Sequence, residues 1–438
     1  MSFNGVTAVR MKERTRCVCS IVLLDTPIKD VVVNFNNFGF NPQINAGINA
    51  AGYETPTPIQ AKTIPVIMAG RDVLGLAQTG TGKTAAFALP ILQKLMKGKR
   101  GRVRALVLSP TRELAEQTYS AFKQLGGKTG LRMLSIYGGV SAKNQINRLR
   151  QGVDIVIACP GRLLDLKNQG EIDLSKVEIL VLDEADHMVD MGFLPDIKRI
   201  IRALPQARQT LLFSATMPEK IYNLATGMLD DPVKVAIDFE KPVDKIDHAI
   251  YAVEQTQKLQ MLIHLLHKQS SDQVLVFTRT KRRATKLADQ LKRAGFSTAS
   301  LQGNLSQNKR DAAMRAFRQG RVKVLVATDI AARGIDVMDV SHVINYDVPD
   351  TAEAYTHRTG RTGRMEQLGT AFSLVTQDDL SMVRSIEKLM GKKLERRSVD
   401  GYTIRLNDPQ HQAPTRKQGR MSHPNHKNQY RSKAKQHS

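Results

Sequence analysis

The run LGLAQTGTGKTAAFALPIL (residues 74–92) decides the fold. A short apolar stretch enters a loop of glycines and threonines, and the loop opens into a helical run. Strand, glycine loop and helix are what phosphate binding needs. Gly80 and Gly82 let backbone N–H groups turn inward beside Thr79 and Thr81, and the N-terminus of the next helix adds a favourable dipole. Lys83 is placed to reach the β- and γ-phosphates, and the Thr84 hydroxyl to bind Mg²⁺. The generic pattern begins with glycine, and Ala77 stands there instead. The bland alternative is a surface turn with a chance lysine, which the flanking strand and helix argue against.

Downstream, the apolar run 179–182 delivers Asp183-Glu184-Ala185-Asp186 at the C-terminal end of a strand, where open α/β sheets bind ligands. One carboxylate there suits Mg²⁺, partly through water, and a second can orient or deprotonate an attacking water. Asp183 is assigned to the metal and Glu184 to the water. An acidic turn after a strand is common by itself. Beside the phosphate loop it defines an NTPase. Further on, HRTGRTGR (357–364) packs four basic residues around two glycines. If helical, it sets His357, Arg361 and Arg364 on one face, where guanidinium forks suit a polyphosphate. Arginines supplied from another domain can act as fingers on the transferred phosphate.

The rest of the chain fits two such domains. Its 438 residues allow two or three domains at roughly 150 each. Short Val-, Ile- and Leu-rich runs at 105–108, 153–158, 179–182 and 210–213 read as buried parallel strands, with helices at 112–125 and 144–151 between them. A charged stretch comes next, and then the alternation resumes. Strands are expected at 273–278, 323–327, 342–346 and 370–375, with helices at 282–294 and 309–319. The expected organisation is an extension at 1–34, a nucleotide-binding domain at 35–237, a linker at 238–247, a second domain at 248–405 and a basic tail at 406–438. Each domain is α/β, a doubly wound parallel sheet.

Composition narrows the partners. Lys plus Arg number 65 against 41 Asp plus Glu, a net charge of +24 that suggests a polyanion, nucleic acid before an anionic membrane. No window approaches the ~18 consecutive apolar residues of a membrane helix. Three cysteines cannot build a disulfide framework, so a reducing compartment, the cytoplasm, is expected. Residues 10–24 have the outline of a secretory signal, but Asp25-Thr26-Pro27 replaces a small-residue cleavage site, and an optional extension is the better reading. Residues 411–438 hold seven Lys or Arg and no Asp or Glu, and cannot bury enough apolar surface to order themselves.

With these motifs placed, the sequence resembles the DEAD-box ATP-dependent RNA helicases, and among them the bacterial RhlE-like group. The likeness spans about residues 35–400 and implies two tandem RecA-like domains joined by a flexible linker, with disordered termini. It includes GYETPTPIQ (52–60), with Phe35 seventeen residues before Gly52. By similarity Gln60 reads the adenine edge and Phe35 stacks on the ring, which implies ATP. PTRELA (110–115), Gly138-Gly139 and PGR (160–162) imply RNA contacts at Pro110, Thr111, Arg112, Gly139, Pro160, Gly161 and Arg162. VLVFTRT, QGNLSQNKR and ATDIAARGID (274–280, 302–310, 327–336) add Gln302, Gly303, Thr328 and Arg333 near RNA and Asp336 near the ribose. The same likeness gives Ser214, Thr216 and His357 a role in coupling, and Arg361 and Arg364 the γ-phosphate. Two residues depart from the family: Cys159 replaces a usual Thr and Gln302 a frequent His.

The implied activity is ATP-driven, Mg²⁺-dependent separation of short RNA duplexes, or remodelling of RNA–protein complexes, with little sequence preference. Ribosomal and RNA-decay assemblies are the candidate settings, and no membrane. Three rivals share parts of this pattern: a DNA translocase, a non-catalytic RNA clamp and a metal-dependent nuclease. Gln60 with Phe35 argues against the first and intact Glu184, Arg361 and Arg364 against the second. The phosphate loop gives the carboxylates a simpler task than nuclease chemistry.

Overall fold

The computed structural model describes residues 34–78, 80–237, 246–268, 273–332, 340–363, 369–402 and 404. Seven strands form the first sheet: β1 (Val73–Leu76), β2 (Ala105–Leu108), β3 (Met133–Ile136), β4 (Ile155–Ala158), β5 (Ile179–Leu182), β6 (Gln209–Ser214) and β7 (Val233–Ala236). Seven more form the second: β8 (Ile246–Ala252), β9 (Val274–Phe277), β10 (Thr298–Leu301), β11 (Val324–Ala327), β12 (His342–Asn345), β13 (Gly369–Val375) and β14 (Glu395–Arg397). All strand pairings among the described residues are parallel.

The strand orders are β3-β4-β2-β5-β6-β1-β7 and β10-β11-β9-β12-β13-β8-β14. Counted within its own sheet, each domain therefore has the order 3-4-2-5-6-1-7. The two halves share one topology. Their central strands are apolar throughout because helices cover both faces. Alternation sorts the side chains: Ala105, Val107, Ile179 and Val181 join one core, and Leu106, Leu108, Leu180 and Leu182 the core on the other face.

The expected strands at 105–108 and 179–182 coincide with β2 and β5, and the others shift by one or two residues at their ends. β8 begins at Ile246, inside the stretch expected as linker, because it pairs along its whole length with β13. The helix expected through residues 357–364 is shorter. It runs Ala352–Thr359, and Gly360 caps it. Arg361 thus lies in the turn beyond the helix, and the one-face spacing with His357 does not hold. Thr79, Arg333, Asp336 and Arg364 lie outside the described residues, as do the two terminal segments.

Candidate nucleotide and RNA site

The phosphate loop leaves β1 and closes onto Gly82, the N-cap of the helix Lys83–Leu95. Gly80 and Gly82 have φ of 87° and 90°, left-handed values that side chains resist. A Cβ on Gly82 would also stand 2.5 Å from the Gln60 amide nitrogen, so only glycine fits. The neighbour is there for a reason. Thr57 and Gln60 form a capping box at the start of the helix Pro58–Met68, with Thr57 N–H donating to Gln60 Oε1 at 2.9 Å. Gln60 Nε2 then donates to the Gly82 carbonyl at 3.0 Å, and the Thr57 hydroxyl to the Thr81 carbonyl at 2.8 Å. A primary amide keeps a second N–H and a second lone pair, which leaves Gln60 able to meet a base edge while it braces the loop. Lys83 is buried, with Nζ donating to the Ala77 carbonyl at 2.8 Å.

Phe35 packs within an aromatic group. It is only 2% exposed, stacked on Tyr53 at 5.9 Å and edge-on to Phe38 at 6.0 Å. Tyr53 remains 37% exposed, so it is the ring of the pair with surface to offer a base. A second aromatic next to Gly52 was the signal that the sequence carried for it.

The carboxylates lie just after β5. Asp183 is buried, and its Oδ1 has no hydrogen-bond partner. Burial pushes Asp183 up to about 7, opposed by the Lys83 charge and reinforced by Glu184. Burial would raise Glu184 too, yet the hydrogen bond and charge of His187, with Lys83 and Arg361 nearby, hold it below the usual carboxylate range. An orphaned carboxylate oxygen beside a hydroxyl-bearing phosphate loop fits a hard cation that prefers oxygen ligands. Among the described residues no three His, Cys, Asp or Glu side chains gather as a metal-holding group.

Glu184 has φ of 52°, a strained value for a residue with a long side chain, and caps the short helix Ala185–Asp190. Its Oε2 lies 2.8 Å from His187 Nδ1. Asp186 points the other way. Its Oδ2 accepts from the N–H groups of Ala215 and Thr216 and from the Thr216 hydroxyl, at 2.9–3.1 Å. Ser214 Oγ closes the turn on the Thr216 carbonyl at 2.7 Å. Thr216 is therefore tied directly to the acidic motif, and Ser214 to Thr216.

The second domain meets this site. His357 Nδ1 sits 3.2 Å from His187 Nε2, and Arg361 is buried close enough to act on the charge of Glu184. Arg358, the fourth basic residue of HRTGRTGR, serves the interior. It pairs with both oxygens of Asp329 at 2.5 and 2.7 Å, donates to Asn345 and the Asp347 carbonyl, and lies over Phe277.

The expected RNA residues lie in the loops after β2, β3, β4, β10 and β11. Thr111 caps the helix Arg112–Gly126, Gly139 turns with φ of 77°, and Arg162 donates to the Val140 carbonyl. Pro160 and Gly161 open the helix Pro160–Asn168. Cys159 is its N-cap and makes no side-chain cap bond; burial pushes the thiol up to about 12. Gln302 is buried and accepts from Asn304 N–H at 2.5 Å, Gly303 packs against Lys281, and Thr328 lies buried after β11. In the first sheet the expected RNA residues follow β2, β3 and β4, three neighbouring strands at one end, whereas the phosphate loop follows β1 and the acidic motif β5. Three contacts join the domains beside the expected RNA residues: Glu113 pairs with Arg310 at 2.8 Å and accepts from Gln307 Nε2 at 3.3 Å, and Arg112 pairs with Asp311 at 3.8 Å. Sequence reasoning missed these bridges because Arg112, Glu113, Gln307 and Arg310 lay inside motifs already given another task, and Asp311 lay in none.

Fold and phosphate loop together define a two-domain P-loop NTPase. Residues 57–224 match the model of the DEAD/DEAH box helicases, and residues 257–366 that of the helicase conserved C-terminal domain. The DEAD-box ATP-dependent RNA helicase CshA of Geobacillus kaustophilus is 42% identical over 83% of this chain and 78% of its own. RNA helicase CrhR of Synechocystis sp. is 44% identical over 78% of this chain and 70% of its own. S. cerevisiae Dbp5 bound to RNA and ADP BeF3 superposes with a TM-score of 0.75 at 32% identity, over 84% of this chain and 96% of that one. The chain belongs to the DEAD-box family of ATP-dependent RNA helicases, enzymes that hydrolyse ATP, with two RecA-like domains. These relatives carry the CshA and CrhR names, so the narrower RhlE-like grouping does not follow from them.

Proposed function

We propose that this chain is a gated RNA-dependent ATPase in which neither domain alone holds a complete active site. The contact of His357 and Arg361 with the acidic motif of the first domain is the observation that carries this reading. Lys83 and the loop amides bind the phosphates, Gln60 and the Phe35–Tyr53 pair take the adenine, and Glu184 orients the attacking water. Arg361 neutralises charge that develops on the transferred phosphate, and Arg364 and Asp336 complete the nucleotide contacts. Mg²⁺, when bound by Asp183 and Thr84, supplies charge stabilisation at the phosphate oxygens. ATP and RNA each favour the closed arrangement, so each strengthens binding of the other.

The RNA is held by its backbone through loops of both domains, which predicts little sequence preference and a strong salt dependence. Asp186, bound to Ala215 and Thr216, carries the state of the nucleotide site to that groove. The cytoplasm and ribosomal or RNA-decay assemblies remain the setting that fits a basic, RNA-dependent enzyme. The test is ATP hydrolysis by the full chain with no nucleic acid, with single-stranded RNA and with matched DNA. Stimulation by RNA alone supports the reading; equal stimulation by DNA sinks the RNA assignment, and no stimulation sinks the gate.

A further inference from the structure

Glu184 is not held by the first domain alone. His187, on the helix Ala185–Asp190, is 3% exposed and touches Glu184 Oε2 with Nδ1 at 2.8 Å. Its other nitrogen meets His357 Nδ1 of the second domain at 3.2 Å, the rings edge to face with centroids 4.6 Å apart. We propose that this imidazole bridge makes the orientation of the Glu184 carboxylate depend on contact between the domains, with His187 as a positioning residue. The inference rests on Glu184 being the residue that orients the water.

Donors and acceptors must match along the bridge. A carboxylate beside Nδ1 needs a proton on that nitrogen, and in a neutral ring Nε2 must then accept. His357 supplies the donor when its Nδ1 carries the proton, so closure fixes the His187 tautomer that holds Glu184. Once the domains separate, His187 can carry its proton on Nε2, and a lone pair then faces the carboxylate and lets it turn away.

Acid limits the bridge. One proton fits between the two facing nitrogens. If both rings become imidazolium, N–H faces N–H and the contact breaks. Among the described residues the charged surroundings are Glu184, with Lys83 and Arg361 acting on it, and Asp186, whose Oδ1 accepts from His187 N–H at 3.0 Å while Oδ2 is held by Ala215 and Thr216. Of the elements packed on this helix, β6 has no titratable residue, and the helix Glu219–Met228 has its charges, Glu219 and Lys220, exposed in its first turn.

The experiment is a pH profile of RNA-stimulated kcat and of KM for ATP, from about pH 8 to pH 5.5. It uses the full-length wild type, His187→Ala, His187→Asn, His357→Ala and the double alanine variant. Both single alanine variants are expected to lower kcat about 10-fold with little change in KM, and the double variant no further. All variants should lose the acid-side fall of the wild-type profile, while His187→Asn, which keeps an N–H donor, recovers much of the neutral-pH rate. Additive losses in the double variant, or an acid limb that survives both single changes, overturn the proposal. If His187→Ala fails to fold, His187→Asn and His357→Ala carry the same comparison. Glu184→Gln is measured alongside. Wild-type turnover there sinks the assignment of Glu184 itself, whereas slow turnover there with silent histidine variants sinks only the bridge.

Discussion

Lys83 donates to the Ala77 carbonyl inside a loop whose shape is otherwise kept by Thr57 and Gln60. Its ammonium is therefore more dispensable to the fold than to the phosphates, and Lys83→Ala should abolish ATP turnover while the melting temperature stays close to wild type. Normal turnover would overturn the loop assignment. Cys159 supports the opposite kind of change. It is an N-cap without a cap bond, so Cys159→Thr offers the amides of the helix Pro160–Asn168 a hydroxyl. Gains at N-caps run to about 1 kcal/mol, which in a domain of this size raises Tm by about 2–4 °C. Thermal unfolding checks it, and a lower Tm would mean that the hydroxyl finds no partner. At this scale the sequence was informative about chemistry and poor about duty. It exposes four basic residues in HRTGRTGR but not that Arg358 turns inward to Asp329, because that choice depends on a partner far away in sequence.

Among the elements, central strands were legible and edge elements were not. β2 and β5 are apolar from end to end because both faces are covered, and their limits coincide with the expected ones. β10 (TASL) and β14 (ERR) have no such signature, and their strand conformation comes from pairing with β11 and β8. Helices meet closely where the sequence permits it. Gly47, in the helix Pro42–Ala50, faces the helix Arg112–Gly126 so tightly that a Cβ would stand 2.1 Å from the Leu125 carbonyl oxygen. Gly47→Ala must push the two helices apart and should destabilise the first domain by about 1–3 kcal/mol. A denaturation midpoint equal to wild type would show that the contact relaxes freely.

Over the whole molecule, one of the domain bridges lies beside residues expected to hold RNA. Glu113 neighbours Arg112 and pairs with Arg310, which ties closure to the edge where RNA is expected. Arg310→Ala should leave each domain folded and reduce the gain in RNA affinity that an ATP analogue produces by about 5-fold or more. RNA titrations with and without the analogue measure this, and an undiminished gain would show that the bridge does not contribute to closure. The common strand order of the two sheets has a last consequence, for stoichiometry. Strand β8 holds the place of β1, yet the chain leaves it through Val253-Glu254-Gln255-Thr256-Gln257-Lys258, without a glycine. Two halves of one topology have thus divided the work unequally, and only one of them can cradle a triphosphate. If the cleft is gated as proposed, each chain spends a single nucleotide per cycle, and counting phosphate released counts the openings of the cleft.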